Sequence, residues 1–265
     1  MKSRVFPAAL RALAFTGLLG ALTVVQPAQA QDPLPAAAEL VARHVAAIGG
    51  RETLLAKKSV RTRGTFEMPA MGVRGEFDAA QARDGSMVMK MVVPGLGEIA
   101  SGFDGENAWS TNPMTGPRLL EGAELAQIRD DASFLASLRE PPAVKAMETV
   151  GVSEAGGEKC YRVRVSWASG RKTHDCYSMA SGLLIGTETA QLSPTGALDI
   201  TTTFADYRDF GGVRMATTAT QRAAGQEQVL RFTAVEFDVA PEDLFAPPAP
   251  VAAMIARQKG SAAPR

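Results

Sequence analysis

The sequence predicts an α+β fold: an incomplete antiparallel β-barrel of about eleven strands wrapped around an N-terminal and a mid-chain helix. Three observations predict it. Apolar and polar residues alternate with period two through most of residues 59–237, as in strands that bury one face. Breaks rich in Gly, Pro and Asp recur at hairpin spacing along that stretch. Only two longer segments, near 34–48 and 121–138, change to a helical period. A sheet with that many strands curls, and its apolar concave face needs a filling that two amphipathic helices can supply.

The first thirty residues read as a secretory signal peptide. Lys2, Arg4 and Arg11 form a positive start, Ala12 to Val25 is an uncharged apolar run, and Ala28-Gln29-Ala30 offers small residues for cleavage. The mature chain is expected to begin at Gln31, outside the cytoplasm, with no lipid-anchoring cysteine at the junction and no transmembrane segment. Without Lys2, Arg4 and Arg11, the 28 basic residues fall to 25 against 28 acidic ones, a net charge of −3. That balance argues against a nucleic-acid partner, which needs a basic patch.

Leu34 to Ile48 places apolar residues at 34, 37, 38, 41, 45 and 48, a helical stripe stopped by Gly49-Gly50. A short second helix is expected near Glu52 to Ala56. From Ser59, Val60, Thr62, Gly64, Phe66 and Met68 alternate with Arg61, Arg63, Thr65 and Glu67. Val73, Gly75, Phe77 and Ala79 then alternate with Arg74, Glu76 and Asp78. In Ser86-Met-Val-Met-Lys-Met-Val-Val93, the residues Met87, Met89 and Met91 share one side of a strand. Strands follow at 97–103 and 106–111 around Asp104-Gly105, a tight-turn signal. The helix at 121–138 carries Leu125, Ile128, Ala132, Leu135 and Leu138 on one stripe and ends at Pro141-Pro142. Strand patterns resume near 147–153, 158–167, 171–178, 183–192, 197–207, 213–222 and 227–237. One domain is expected over residues 31–245, with a Pro- and Ala-rich tail over 246–265 that carries a short helix near Val251 to Gln258.

Cys160 and Cys176 flank a hairpin turning at Ala168-Ser169-Gly170, and in an exported chain they predict one disulfide. Closing a loop of this size contributes about 3 kcal/mol on the chain-entropy model. Catalytic motifs are lacking: there is no G-x-S-x-G, H-E-x-x-H or P-loop pattern, and the histidines are His44 and His174. His44 reads as a structural histidine on the first helix. His174-Asp175-Cys176 fails as a nucleophile cluster because neighbours on a strand face opposite ways. No enzyme activity, cofactor or resident metal is expected.

The methionine row has three readings: plain core, the lining of a lipid-sized cavity, or thioether ligands for Cu(I) drawn from Met68, Met71, Met87, Met89 and Met91. Alternate residues of one strand lie about 7 Å apart, too far for three to share an ion unaided.

The segments Ala46-Ala-Ile-Gly-Gly50, Gly102-Phe-Asp-Gly-Glu-Asn-Ala-Trp109, Asn112-Pro-Met-Thr-Gly-Pro117, Ser181-Gly-Leu-Leu184, Phe204-Ala-Asp-Tyr-Arg208 and Gly211-Gly-Val213 occur in an order that resembles one family. It is the periplasmic lipoprotein-carrier superfamily (LolA/LolB-like), in particular its outer-membrane lipoprotein-sorting-protein group, over about residues 36–245. The resemblance implies a half-barrel whose apolar cavity receives acyl chains of lipids or lipoproteins in a Gram-negative periplasm, with envelope membrane proteins as possible partners. On that reading Phe66, Met68, Phe77, Met87, Met89, Met91, Phe103 and Trp109 line the cavity. The alternatives are a copper-binding protein and an envelope scaffold that never loads a ligand.

Overall fold

The structure, a computed structural model, describes residues 33–132, 134–193, 196–239 and 241–261. The expected signal peptide lies outside them. Two helices come first, α1 (Ala37–Ala47) and α2 (Arg51–Ala56). Six strands follow: β1 (Ser59–Met68), β2 (Val73–Ala82), β3 (Met87–Val93), β4 (Gly97–Phe103), β5 (Ala108–Asn112) and β6 (Gly116–Leu120). The mid-chain helix α3 (Gly122–Asp131) leads through a 3-10 turn at Ala136–Leu138 into β7 (Val144–Ala155), β8 (Glu158–Trp167) and β9 (Lys172–Ser178). Then come β10 (Leu184–Ser193), β11 (Gly196–Phe210), β12 (Val213–Ala223), β13 (Gln226–Phe237) and a final helix α4 (Ala249–Ser261).

The strands form one 13-stranded antiparallel sheet in the order β6-β5-β4-β3-β2-β1-β13-β12-β11-β10-β9-β8-β7. Consecutive strands pair everywhere except across the β6/β7 seam, and β1 pairs with β13 from Val60↔Phe237 to Glu67↔Val229. Among the described residues the sheet is therefore not closed, and its two edges meet the chain where α3 runs between them.

The strand absent from the sequence reading is β6, Gly-Pro-Arg-Leu-Leu. Pro117 has no N–H to donate and so counts against a strand, but β6 is an edge, where one side of the ladder needs no donor. The helix expected over 121–138 is shorter than its stripe. Leu125, Ile128 and Ala132 pack with Phe103, Ala108 and Leu120, whereas Leu135 and Leu138 join a separate core with Ile48 and Leu54. One straight helix could not reach both, so the chain turns after Ala132.

The two faces of the sheet carry different elements. On the concave face α1 packs Leu40 and Val41 on Val163, Val165, Trp167 and Tyr177. On the convex face Ala80, Val88, Ala100 and Trp109 are covered by Phe245, Val251 and Ile255. The expected tail thus contributes a docked helix whose Val251 is 0% exposed. Elsewhere the convex face carries charge pairs across strands, Arg61 to Asp78 at 2.5 Å, Arg63 to Glu236 at 2.5 Å and Arg74 to Glu67 at 2.9 Å.

Glycines explain how the layers approach. Phe66 pairs directly with Gly75, Phe77 with Gly64 and Trp109 with Gly102. A Cβ on Gly75 would lie 2.6 Å from the Phe66 ring, and one on Gly102 would lie 2.5 Å from Trp109. Each ring therefore lies over the backbone of the neighbouring strand, an arrangement that restores packing where glycine has no side chain. The two double-glycine segments meet each other: a Cβ on Gly49 would fall 2.0 Å from the Gly212 carbonyl oxygen, and the Arg214 N–H donates to Ile48 O at 2.9 Å. Gly49 also has φ +121°, which L side chains rarely adopt, whereas a Cβ on Gly50 would meet no atom within 4 Å.

Gly49→Ala should therefore cost more than about 2 kcal/mol, through both a backbone clash and strain, while Gly50→Ala should cost about 1–2 kcal/mol through strain alone. Urea denaturation of the two variants measures the difference; equal losses would refute the contact.

Candidate functional site

The curl of the sheet leaves a cavity of about 510 Å³ between β3–β6 on one side, β10–β13 on the other and α3 across the seam. This lies within the usual range for small-molecule sites, about 300–1,000 Å³. Met87, Met89 and Met91 line one wall. Each heads a row across neighbouring strands: Met87 with Phe103, Ala108 and Leu120; Met89 with Ser101, Ser110 and Arg118; Met91 with Ile99. Leu120, Ile128 and Leu230 extend the apolar wall.

Several side-chain contacts hold α3 over this space. Gln127 donates from Nε2 to Ala190 O at 3.1 Å and accepts the Leu192 N–H on Oε1 at 2.8 Å. Its amide thus takes up both backbone groups that β10 presents there, and Gln127 is buried. Arg118 grips both carboxylate oxygens of Glu124 at 2.8 Å, holding that carboxyl below its ordinary range. Arg171 pairs with Asp131 at 2.6 Å.

The residues singled out from the sequence separate into groups. Met87, Met89 and Met91 reach the cavity wall. Phe66 and Phe77 lie just beneath it, buried with Ala219 and Leu230 and overlain by Met89 and Met91. Phe103 is buried under Met87, Leu125 and Ile128. Met68 is half-buried at the end of β1 beside the turn that carries Met71, itself 60% exposed. Trp109 is a correction. It pairs with Gly102 in the row of Val88, one position out of phase with Met87, so it packs on the convex face under α4. Alternation placed it within reach of the cavity only if β5 kept the phase of Phe103 across the Asp104-Gly105 turn. There Asp104 Oδ1 accepts the N–H groups of Glu106 and Asn107 and sets a four-residue connection.

Sequence reasoning missed Thr202, Gln221 and Gln228, which line the opposite wall. Their strands have no clean apolar alternation that would assign a face. The methionines proposed for copper do not all converge, since Met71 and Met68 are away from the cavity. No cluster of three or more His, Cys, Asp or Glu suited to a metal occurs among the described residues.

Cys160 and Cys176 form a disulfide with Cα atoms 5.4 Å apart, diagonal rather than opposite, because Cys160 pairs with Ser178 and Cys176 with Arg162. His174 faces outward with Glu188 at 3.8 Å. Asp175 faces inward, where Arg139 Nε donates to Oδ2 at 2.8 Å and the Tyr177 hydroxyl donates to the same oxygen at 3.1 Å. The Arg139 guanidinium lies 5.1 Å over the Trp167 ring. His44 on α1 adjoins this group, its ring 5.5 Å from Tyr177 and its Nδ1 accepting the Leu184 N–H at 3.1 Å. Burial, aided by Arg139, lowers the His44 pKa to about 4. It is the satisfied structural histidine expected. A second, mostly apolar groove of about 500 Å³ runs along α1 past Val41, Val45, Leu138 and Met147.

No protein-family model and no curated protein matches the chain. Solved structures do share its fold. A LolA superfamily protein from Nitrosomonas europaea aligns over 81% of this chain and 99% of its own, with 12% identity and a TM-score of 0.53. A DUF1329 family protein from Desulfovibrio piger aligns over 79% and 95%, with 12% identity and a TM-score of 0.51. The likeness is one of fold, and it agrees with the resemblance read from the sequence.

Because folding lowers the His44 pKa, the unfolded chain binds the extra proton between about pH 6.5 and about pH 4. Stability should be full above that window and fall by about 3 kcal/mol as the pH drops through it. His44→Gln should flatten the slope in denaturation series at pH 7 and pH 4.5. Arg139→Met leaves a buried carboxylate without its cation and should cost about 3–5 kcal/mol, read in the same assay at pH 7.

Proposed function

We propose that this chain is a periplasmic, non-enzymatic carrier or sensor that binds the acyl chain of a lipid or lipoprotein inside its half-barrel. The observation that carries the reading is the cavity of about 510 Å³ with Met87, Met89 and Met91 on its wall, beneath a helix that spans an open seam. Methionine is unbranched and pliable, so a methionine wall adapts to chains of variable length. Each apolar side chain withdrawn from water contributes about 1.5–3 kcal/mol, and a few are enough to retain one acyl chain. Loading and release require α3 to lift from β10, which breaks the two Gln127 hydrogen bonds.

The signal peptide read from residues 1–30 supports export, and no helix among the described residues is long and apolar enough to cross a membrane. Envelope membrane proteins that donate or accept the lipid are the partners this reading calls for. The fold shared with a LolA superfamily protein is compatible with such a role.

Native mass spectrometry of the protein purified from the periplasm without detergent should show added mass that partitions into an organic extract. Mass steps of copper would instead move the methionines to metal binding. Met89→Asp places a charge on the wall and should weaken binding of a fatty-acid probe at least tenfold, with the disulfide intact; unchanged binding would refute the site.

A further inference from the structure

The cavity assigned above to an acyl chain is not apolar throughout. Across from the methionines, Thr202, Gln221 and Gln228 are successive cross-strand partners on β11, β12 and β13, and all three line the space. Ser101 and Ser110 stand in the row that joins Met89 to Arg118. Thr189 also lines the cavity, and its Oγ1 is buried with no hydrogen-bond partner among the described residues. Such a wall has hydroxyl and amide groups to offer a ligand, each glutamine being both a donor and an acceptor.

Among the described residues the wall carries two cations, Arg118 and Arg171, and both face carboxylates, although Arg171 Nε makes no hydrogen bond. Arg118 makes its two 2.8 Å hydrogen bonds to Glu124. Arg171 lies 2.6 Å from Asp131 and 3.4 Å from Asp130, and stacks 5.1 Å over Trp167. Among the described residues no lysine lines the cavity. A phosphate headgroup would have to take one of these guanidinium groups from its carboxylate. That exchange breaks a charge-assisted pair, and taking Arg118 also strands the half-buried Glu124 carboxylate. An uncharged headgroup bearing hydroxyls disturbs neither pair and meets the amide and hydroxyl wall directly.

We propose that the cavity selects amphiphiles whose headgroup is uncharged and rich in hydroxyl groups, such as a sugar or polyol, over amphiphiles with a phosphate headgroup. This rests on the lipid-binding reading of the same site. The apolar chain lies along Met87, Met89, Met91 and Leu230, and the headgroup meets Thr202, Gln221 and Gln228.

The test is calorimetric titration of the delipidated protein with decyl glucoside and decyl phosphate, each below its micelle concentration. The glucoside should bind at least tenfold more tightly. Gln221→Leu with Gln228→Leu should bring the two affinities within about twofold of each other, and Gln228→Met alone should narrow the gap if the double variant does not fold. Equal or tighter binding of decyl phosphate overturns the headgroup selection and leaves lipid binding standing. Failure of both probes to bind overturns the lipid-binding reading, and the headgroup selection falls with it. A folded variant that keeps the full tenfold preference overturns the assignment to these glutamines.

Discussion

Pairing of the first strand with the last, along Val60↔Phe237 to Glu67↔Val229, is the constraint from which the rest of the architecture follows. Every other pairing joins neighbours in the chain. Once β1 and β13 are bonded, the unpaired edges have to be two strands adjacent in sequence, here β6 and β7, and the segment between them has to pass over the seam. That is why a helix sits there, and why its apolar residues turn into the curl rather than toward water. The edges themselves are poor templates for further pairing. β6 is short and contains Pro117, and β7 shifts register between Val144 and Ala146 and again between Thr149 and Gly151.

The seam also sets the character of the site. A closed barrel of this sheet would be filled by its own side chains or sealed. An open one needs α3, and α3 brings Glu124, Gln127 and Asp131 along with Ile128. The same element that roofs the cavity makes one flank of it polar. Charge pairs then become necessary inside, because Arg118 and Arg171 enter the curl with their carboxylate partners. The buried Arg139–Asp175–Tyr177 group follows the same logic beneath α1: an ion pair out of water is weak evidence for added stability, but losing one partner is costly, so it favours a single packing of α1 on β8 and β9.

Much of this was legible in particular residues. The alternation of Met87, Met89 and Met91 placed them on one face, and the pairing of Cys160 with Cys176 followed from the hairpin between them. Gly49-Gly50 and Gly211-Gly212 were visible as stops and turns, though not as partners in one close contact. What failed had a nonlocal cause. Pro117 is tolerable only because its strand is an edge, Trp109 changed face through the length of one connection, and Leu135 and Leu138 left the helical stripe because a second core claimed them. Thr202, Gln221 and Gln228 gave no local signal, since a polar residue on a strand ordinarily points to water.

By itself the sequence determined the strand periods, the turns, the disulfide and which side chains share a face within one strand, because each depends on residues close together in the chain. Only the tertiary structure decided which face is concave, where the sheet stays open and what stands opposite the methionines. Those depend on β1 meeting β13 across most of the chain, and on two walls facing each other that no local period relates.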